Sequence, residues 1–331
     1  MAPATVERPP RRTKIPRQTS SDRPSGSGRV TILIQYAWAG VTVVRLSIEL
    51  VLLSIPSGCA QLGTLSPLAP LERSIVYQPM TYPQGNWRPV DLDVEDAWFE
   101  SEDGTKLHGW YVPHPQPRGV AILLHGNAGN ITHRASTLRQ LSQRHELAVM
   151  TFDHRGYGRS EGKPHEQGIL QDARAARAWL AQRTGVAERD VILIGRSLGG
   201  GVAVDLAAKD GTRGLVLAST FTSLPDVGSH HVPWVPARLL MASRLDSLTK
   251  IRDFHGPLLQ SHGTADQVVP FALGKQLHEA APGPKQFVAM SGAGHNDPWN
   301  AEFHQALDEF LADVTPAAAA ARGRAPVAAT R

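Results

Sequence analysis

From about residue 75 to residue 314, short continuous apolar runs alternate with stretches of helical period. The runs are GVAILLHG (119–126), LAVMTFDHRG (147–156), VILIGRSLGG (191–200), GLVLAST (214–220), PLLQSHG (257–263) and QFVAMSG (286–292). Runs this short and this apolar are what strands buried on both faces require. Helical stretches near 131–145, 166–184, 271–281 and 298–313, with GVAVDLAAK (201–209) after the third run, separate them. Strand and helix in alternation predict an α/β fold, a mostly parallel central sheet with helices on both faces, in one domain over 75–314. Ahead of it, VEDAWFE and KLHGWYV flank Ser-Glu-Asp-Gly and predict a hairpin. Residues 221–256 hold Leu224, Val227, Trp234, Leu239 and Met241 without a clear period. They predict a short cap, which either lines an acyl-binding site or simply covers the sheet edge.

The ends of the chain follow other patterns. Residues 1–29 are rich in Pro, Ser, Gly and Arg with no apolar period, and TPAAAAARGRAPVAATR (315–331) is low-complexity. Such compositions predict a disordered basic arm and a disordered tail. Between arm and domain, 30–44 carry no charge, and only Arg45 and Glu49 interrupt the apolar run before Pro56. A bilayer-spanning helix needs about 20 apolar residues, so 30–60 is long enough for an anchor. Its end, LSIPSGCAQLG, is also similar to a bacterial lipoprotein signal, with Cys59 as the lipidation candidate. Packing as an ordinary soluble helix is the third reading. Both membrane readings imply membrane lipid as a partner, the arm in the cytoplasm and the domain outside it.

Charge changes the picture once it is placed. The formal net charge is +4 and the pI is about 9.4. The arm carries +5 and the tail +3, which leaves −4 for residues 30–314. Nucleic-acid binding needs a basic surface on the folded part, so that class is excluded. Cys59 is the only cysteine, and no internal disulfide can form. The 14 histidines include no pair with convincing metal-ligand spacing. Neither metal nor organic cofactor is implied. His133, His145, His154 and His165 read as surface or loop residues.

The chemistry sits at the ends of the apolar runs. Gly195-Arg196-Ser197-Leu198-Gly199 lies between a strand and a Gly/Ala-rich helix, where a turn this tight demands small residues beside the serine. The hydroxyl then stands at a helix N-terminus, where developing negative charge is favoured. Asp266 follows PLLQSHG and His295 follows QFVAMSG. Serine, aspartate, histidine is the chain order of a nucleophile, an acid that orients the base, and the base itself. Asp246, Asp253 and Asp297 compete for the acid's place, but none follows a core strand. His125-Gly126-Asn127-Ala128-Gly129-Asn130 follows AILLHG, so the backbone N–H groups of Asn127 and Leu198 are the candidate oxyanion-hole donors.

HGNAGN, DHRGYGRSEGKP (153–164), GRSLGGGVAVDLAA, STFTSLPD (219–226) and HGTADQVVP together resemble the α/β-hydrolase domain proteins related to yeast Bem46. The resemblance covers roughly residues 90–312 and implies the α/β-hydrolase fold, with membrane-associated members among the relatives. It also implies that Asp153 and Arg155 are scaffold and that Gly156, Gly158 and Ser160 shape a tight loop. His154 departs from the Tyr common at that position. The expected function is hydrolysis of a small-molecule carboxylic ester or thioester through an acyl-serine. A peptidase of the same fold and a catalytically silent binding protein are the rivals.

Overall fold

The computed structural model describes residues 69–315. The basic arm, the apolar segment with Cys59, and the tail beyond Thr315 lie outside the described residues. Among the described residues ten strands and nine α-helices follow in order. They are α1 (Ala69–Val76), β1 (Gln78–Pro79), β2 (Glu95–Glu100), β3 (Lys106–Val112), β4 (Gly119–Leu124), β5 (Ala128–Gly129), α2 (Ala135–Arg139) and β6 (Leu147–Phe152). Then come α3 (Glu166–Thr184), β7 (Ile192–Arg196), α4 (Leu198–Asp210), β8 (Leu215–Ala218), α5 (Leu224–His231), α6 (Ala237–Leu240) and α7 (Ser247–Lys250). The last are β9 (Leu258–Gly263), α8 (Phe271–Ala280), β10 (Lys285–Met290) and α9 (Ala301–Val314).

Eight strands form one sheet in the order β10-β9-β8-β7-β4-β6-β3-β2. Every pairing from β10 to β6 is parallel, and only the β2–β3 hairpin and its join to β6 run antiparallel. Successive side chains of a strand point to opposite faces, and the core divides accordingly. Ile122, Leu124, Leu193, Leu215 and Leu217 face one cluster, with Ile169, Ala173, Ala176 and Leu180 of α3, Val202 and Leu206 of α4, and Leu277 of α8. Ala121, Leu123, Ile192, Ile194 and Val216 face the other, with Leu138 of α2 and Phe303, Leu307, Phe310 and Leu311 of α9. Burial on both faces is why these runs are continuously apolar rather than alternating.

The helices are bounded locally. His165 caps α3 by accepting from Gly168 N–H, and Gly185, at φ 74°, ends it in the left-handed conformation that disfavours other residues. Asn300 caps α9 through Phe303 N–H. Residues 221–256 form the three short helices α5 to α7. No helix among the described residues is long and apolar enough to cross a membrane, and the segment on which that expectation rests lies outside them.

One piece had no counterpart in the sequence pattern. Before the sheet begins, α1 and β1 form a strap, and β1 pairs in parallel with β5, two residues of the loop after β4. Two histidines also depart from expectation. His145 and His154, read as surface or loop residues, are fully buried. His145 bonds Asp308 at 2.8 Å and His304 at 2.9 Å, under α9. His154 packs its ring on His125, with centroids 4.6 Å apart.

Candidate active site

Ser197 links β7 to α4 at φ 53° and ψ −119°, a conformation that is costly for a residue with a Cβ. Its neighbours must be small for a plain reason. A Cβ on Gly199 would lie 2.1 Å from the Leu124 carbonyl oxygen, and one on Gly195 would lie 2.6 Å from that of Gly199. The Ser197 side chain makes no capping bond to α4, so its hydroxyl remains available. The loop after β4 lies against it: a Cβ on Gly126 would be 3.4 Å from Ser197 Cβ and 3.9 Å from its Oγ.

Asp266 and His295 lie side by side. His295 Nδ1 and Asp266 Oδ2 are 2.7 Å apart. A carboxylate can only accept, so Nδ1 carries the proton and Nε2 is left as the basic nitrogen. The other oxygen, Oδ1, accepts from the N–H groups of Val268 and Val269, both at 2.9 Å. Burial opposes ionisation of Asp266, but contacts with His262, His295 and Val269 N–H outweigh it and hold the carboxyl well below the usual range. Asp297 instead accepts from Gly294 N–H at 2.8 Å and shapes the histidine loop. Asp246 caps α7. No hydrogen bond joins Ser197 Oγ to His295 among the described residues. Catalytic hydrogen bonds often form only when substrate arrives.

Of the candidate oxyanion donors, Leu198 follows the serine directly and opens α4, and Asn127 follows Gly126 in the loop that lies against it. The N–H groups of Leu198 and Asn127 donate to no protein acceptor among the described residues. The C=O of the Gly126–Asn127 peptide is turned the other way, accepting from His125 Nδ1 at 2.7 Å. Burial holds the His125 imidazole neutral by pushing its pKa well down, so this donor is fixed.

Three functional side chains escaped the sequence reading. Arg196, just before the serine, donates from Nη2 to the carbonyl oxygens of His295 and Asp297, the latter at 3.2 Å, and so ties the histidine loop to the serine turn. His262 Nε2 donates to Val269 O at 2.9 Å and lies 3.2 Å from Asp266 Oδ2, pinning the acid's turn to β9. His231 of α5 reaches Val268 O of the same turn at 2.8 Å. Asp153 and Arg155 serve as scaffold. Asp153 accepts from Ile131 N–H at 2.9 Å, and Arg155 Nη2 bonds buried Asp172 at 2.7 Å. Among the described residues no group of three His, Cys, Asp or Glu side chains could hold a metal ion.

With this geometry, the comparisons with known proteins agree on the family. A family model described as serine aminopeptidase S33 matches residues 115–248. An uncharacterised protein of Mycobacterium tuberculosis, MT2364, is 40% identical over 238 residues, covering 71% of this chain and 84% of that one. The α/β hydrolase domain-containing protein WAV2 of Arabidopsis thaliana is 33% identical over 258 residues, covering 70% of this chain and 83% of its own. The chain belongs to the α/β-hydrolase superfamily. Among solved structures, the Pyrococcus furiosus esterase Pf2001 matches the hydrolase fold with a TM-score of 0.61 at 21% identity, over 72% of this chain and 98% of that one. A ferulic-acid complex of Est1E from Butyrivibrio proteoclasticus matches with a TM-score of 0.54 at 18% identity, over 66% and 99%.

Proposed function

We propose that this hydrolase cleaves carboxylic esters or thioesters of small molecules through an acyl-serine intermediate. The observation that carries the reading is the 2.7 Å His295–Asp266 pair, held by Arg196 beside a serine presented at the start of α4. In this mechanism Ser197 Oγ attacks the acyl carbon while His295 Nε2 takes its proton. Asp266 holds the ring in the required tautomer and stabilises the imidazolium. The N–H groups of Leu198 and Asn127 receive the oxyanion, supported by the N-terminal end of α4. His295 then returns the proton to the leaving alkoxide or thiolate, and a water activated by the same nitrogen releases the acid. Residues 221–256 act as a short cap over an open site that tolerates varied substrate shapes.

Labelling by a fluorophosphonate probe, together with turnover of p-nitrophenyl esters and acyl thioesters of graded chain length, tests the reading. Absence of labelling would remove it and leave a silent scaffold. The S33 description of the matched family favours one alternative, a peptidase. The same triad serves amides, so hydrolysis of aminoacyl p-nitroanilides in preference to esters would favour that class.

A further inference from the structure

Asn127 is held from both sides of its Cα. The peptide before it is oriented by His125, as described. The peptide after it is oriented by groups from elsewhere in the chain: its C=O accepts from Gln78 N–H of the strap at 2.9 Å and from Tyr157 O–H at 2.7 Å. The Asn127 side chain donates from Nδ2 to Val76 O at 3.1 Å. The next residues continue the clamp, with Met80 N–H on Gly129 O at 3.0 Å and Asn130 Nδ2 on Met80 O at 3.2 Å and Gln84 O at 2.9 Å. The backbone C=O and the side-chain Nδ2 of Asn127 are therefore engaged, while its N–H meets no protein acceptor among the described residues. Tyr157 is fully buried, and burial pushes its hydroxyl far above the usual phenol range, so it stays a donor at any working pH. The strap is fastened at its far end as well, where Glu72 accepts from Ala242 and Ser243 N–H at 2.7 and 2.6 Å.

We propose that Tyr157 and the strap from Val76 to Met80 are positioning elements for the reaction: they fix the Asn127 N–H where the oxyanion forms. The inference rests on the serine-hydrolase reading above and extends it to a segment that precedes the matched region 115–248. Neither element touches the substrate. Their effect comes through the geometry of one donor, and displacement of such a group by about 1 Å costs about 100-fold in rate.

Tyr157→Phe removes only the hydroxyl, and Asn127→Ala, at a half-buried position, removes the link to Val76 O while keeping the backbone N–H. Each variant is compared with wild type in kcat and KM for p-nitrophenyl butyrate and in Ki for a trifluoromethyl ketone that forms a tetrahedral adduct. The expected result is a fall in kcat of about 10- to 100-fold, KM within about twofold, and a Ki raised in proportion to the loss of kcat/KM. A merely structural role would lower melting temperature without this split. Unchanged kcat and Ki in folded variants, or a loss confined to KM, would overturn the proposal. Asn127→Ala carries the test if Tyr157→Phe does not fold. Fluorophosphonate labelling of the wild type separates the two failures: an unlabelled wild type sinks the serine reading itself, whereas a labelled wild type with unaffected variants sinks only the positioning role.

Discussion

Ser197, Asp266 and His295 were legible because each stands immediately after an apolar run, and strand ends are where this fold gathers its chemistry. Arg196 and Tyr157 were not, because each acts through a partner far along the chain, His295 O for Arg196 and Asn127 O for Tyr157, and His262 was not, because its bond to Val269 O depends on how the turn after its strand folds back. His145 and His154 were misread for the same reason, since a polar residue beside a strand looks exposed until its burial partners are known. Two predictions belong to single residues. Ser197→Ala should leave a folded protein with esterase turnover reduced by about 1000-fold or more, since removing a triad member leaves only the oxyanion hole and binding. Turnover like that of wild type by the purified variant would refute the nucleophile. The second concerns pH. Asp266 is held well below the usual carboxylate range, so it remains ionised wherever the enzyme is folded near neutrality. Loss of the Asp266 charge then plays no part in the acid limb, which a single protonation governs. A profile of log kcat/KM against pH should show unit slope on that limb. A slope of two would mean that Asp266 titrates as well.

At the scale of elements, the central strands announced themselves because they are buried on both faces, and the hairpin because Ser-Glu-Asp-Gly interrupts two strand-like runs. The strap did not, since β1 is two residues long and pairs with a loop, a contact no local pattern encodes. The apolar run of α4 hides another non-local device, Asp205. Its carboxylate is fully buried and meets Arg174 of α3 at 2.9 Å, Lys250 of α7 at 2.8 Å and Lys209 at 2.9 Å. Burial opposes its ionisation, but Lys250, Lys209 and Arg174 outweigh that and lower its pKa. Asp205 thus joins the helix that carries Ser197 to the end of segment 221–256. Asp205→Asn should destabilise the fold by about 2–3 kcal/mol at pH 7, because one buried anion balances three cations. Lys209→Met, at an exposed partner, should cost about 0.5 kcal/mol or less. The sign with pH follows from the lowered pKa. The stabilisation is complete above the unfolded carboxylate value of about 4 and is lost as pH falls through the folded one. Urea unfolding at pH 7 and at pH 3 checks both statements: the gap between wild type and Asp205→Asn should narrow in acid. A gap that is absent at pH 7 would make the cluster a surface ornament.

For the whole molecule, the distribution of charge and apolarity points to attachment. The segment 30–314 carries −4, the arm +5, and between arm and domain the uncharged run 30–44 leads towards small residues before Cys59. We propose that residues 30–59 hold the enzyme on a membrane with the hydrolase domain on the side opposite the arm, since positive charge stays in the cytoplasm. Two mechanisms would do this, and they leave different products. A transmembrane helix keeps the arm and does not need the thiol, so Cys59→Ala should remain membrane-bound with an unchanged N-terminus. A lipoprotein loses everything before Cys59 and gains acyl chains there, so Cys59→Ala should block maturation. More than one acyl chain is needed for firm attachment, because a single chain binds a bilayer only marginally and reversibly. Fractionation of cells expressing each form, with the mature N-terminus read by mass spectrometry, distinguishes them. Substrate access follows from the outcome, since an anchored domain meets acyl chains at a lipid surface while a free one meets them in solution. Wild-type protein that washes off in high salt and still begins at Met1 would end both anchoring mechanisms and return the segment to ordinary packing.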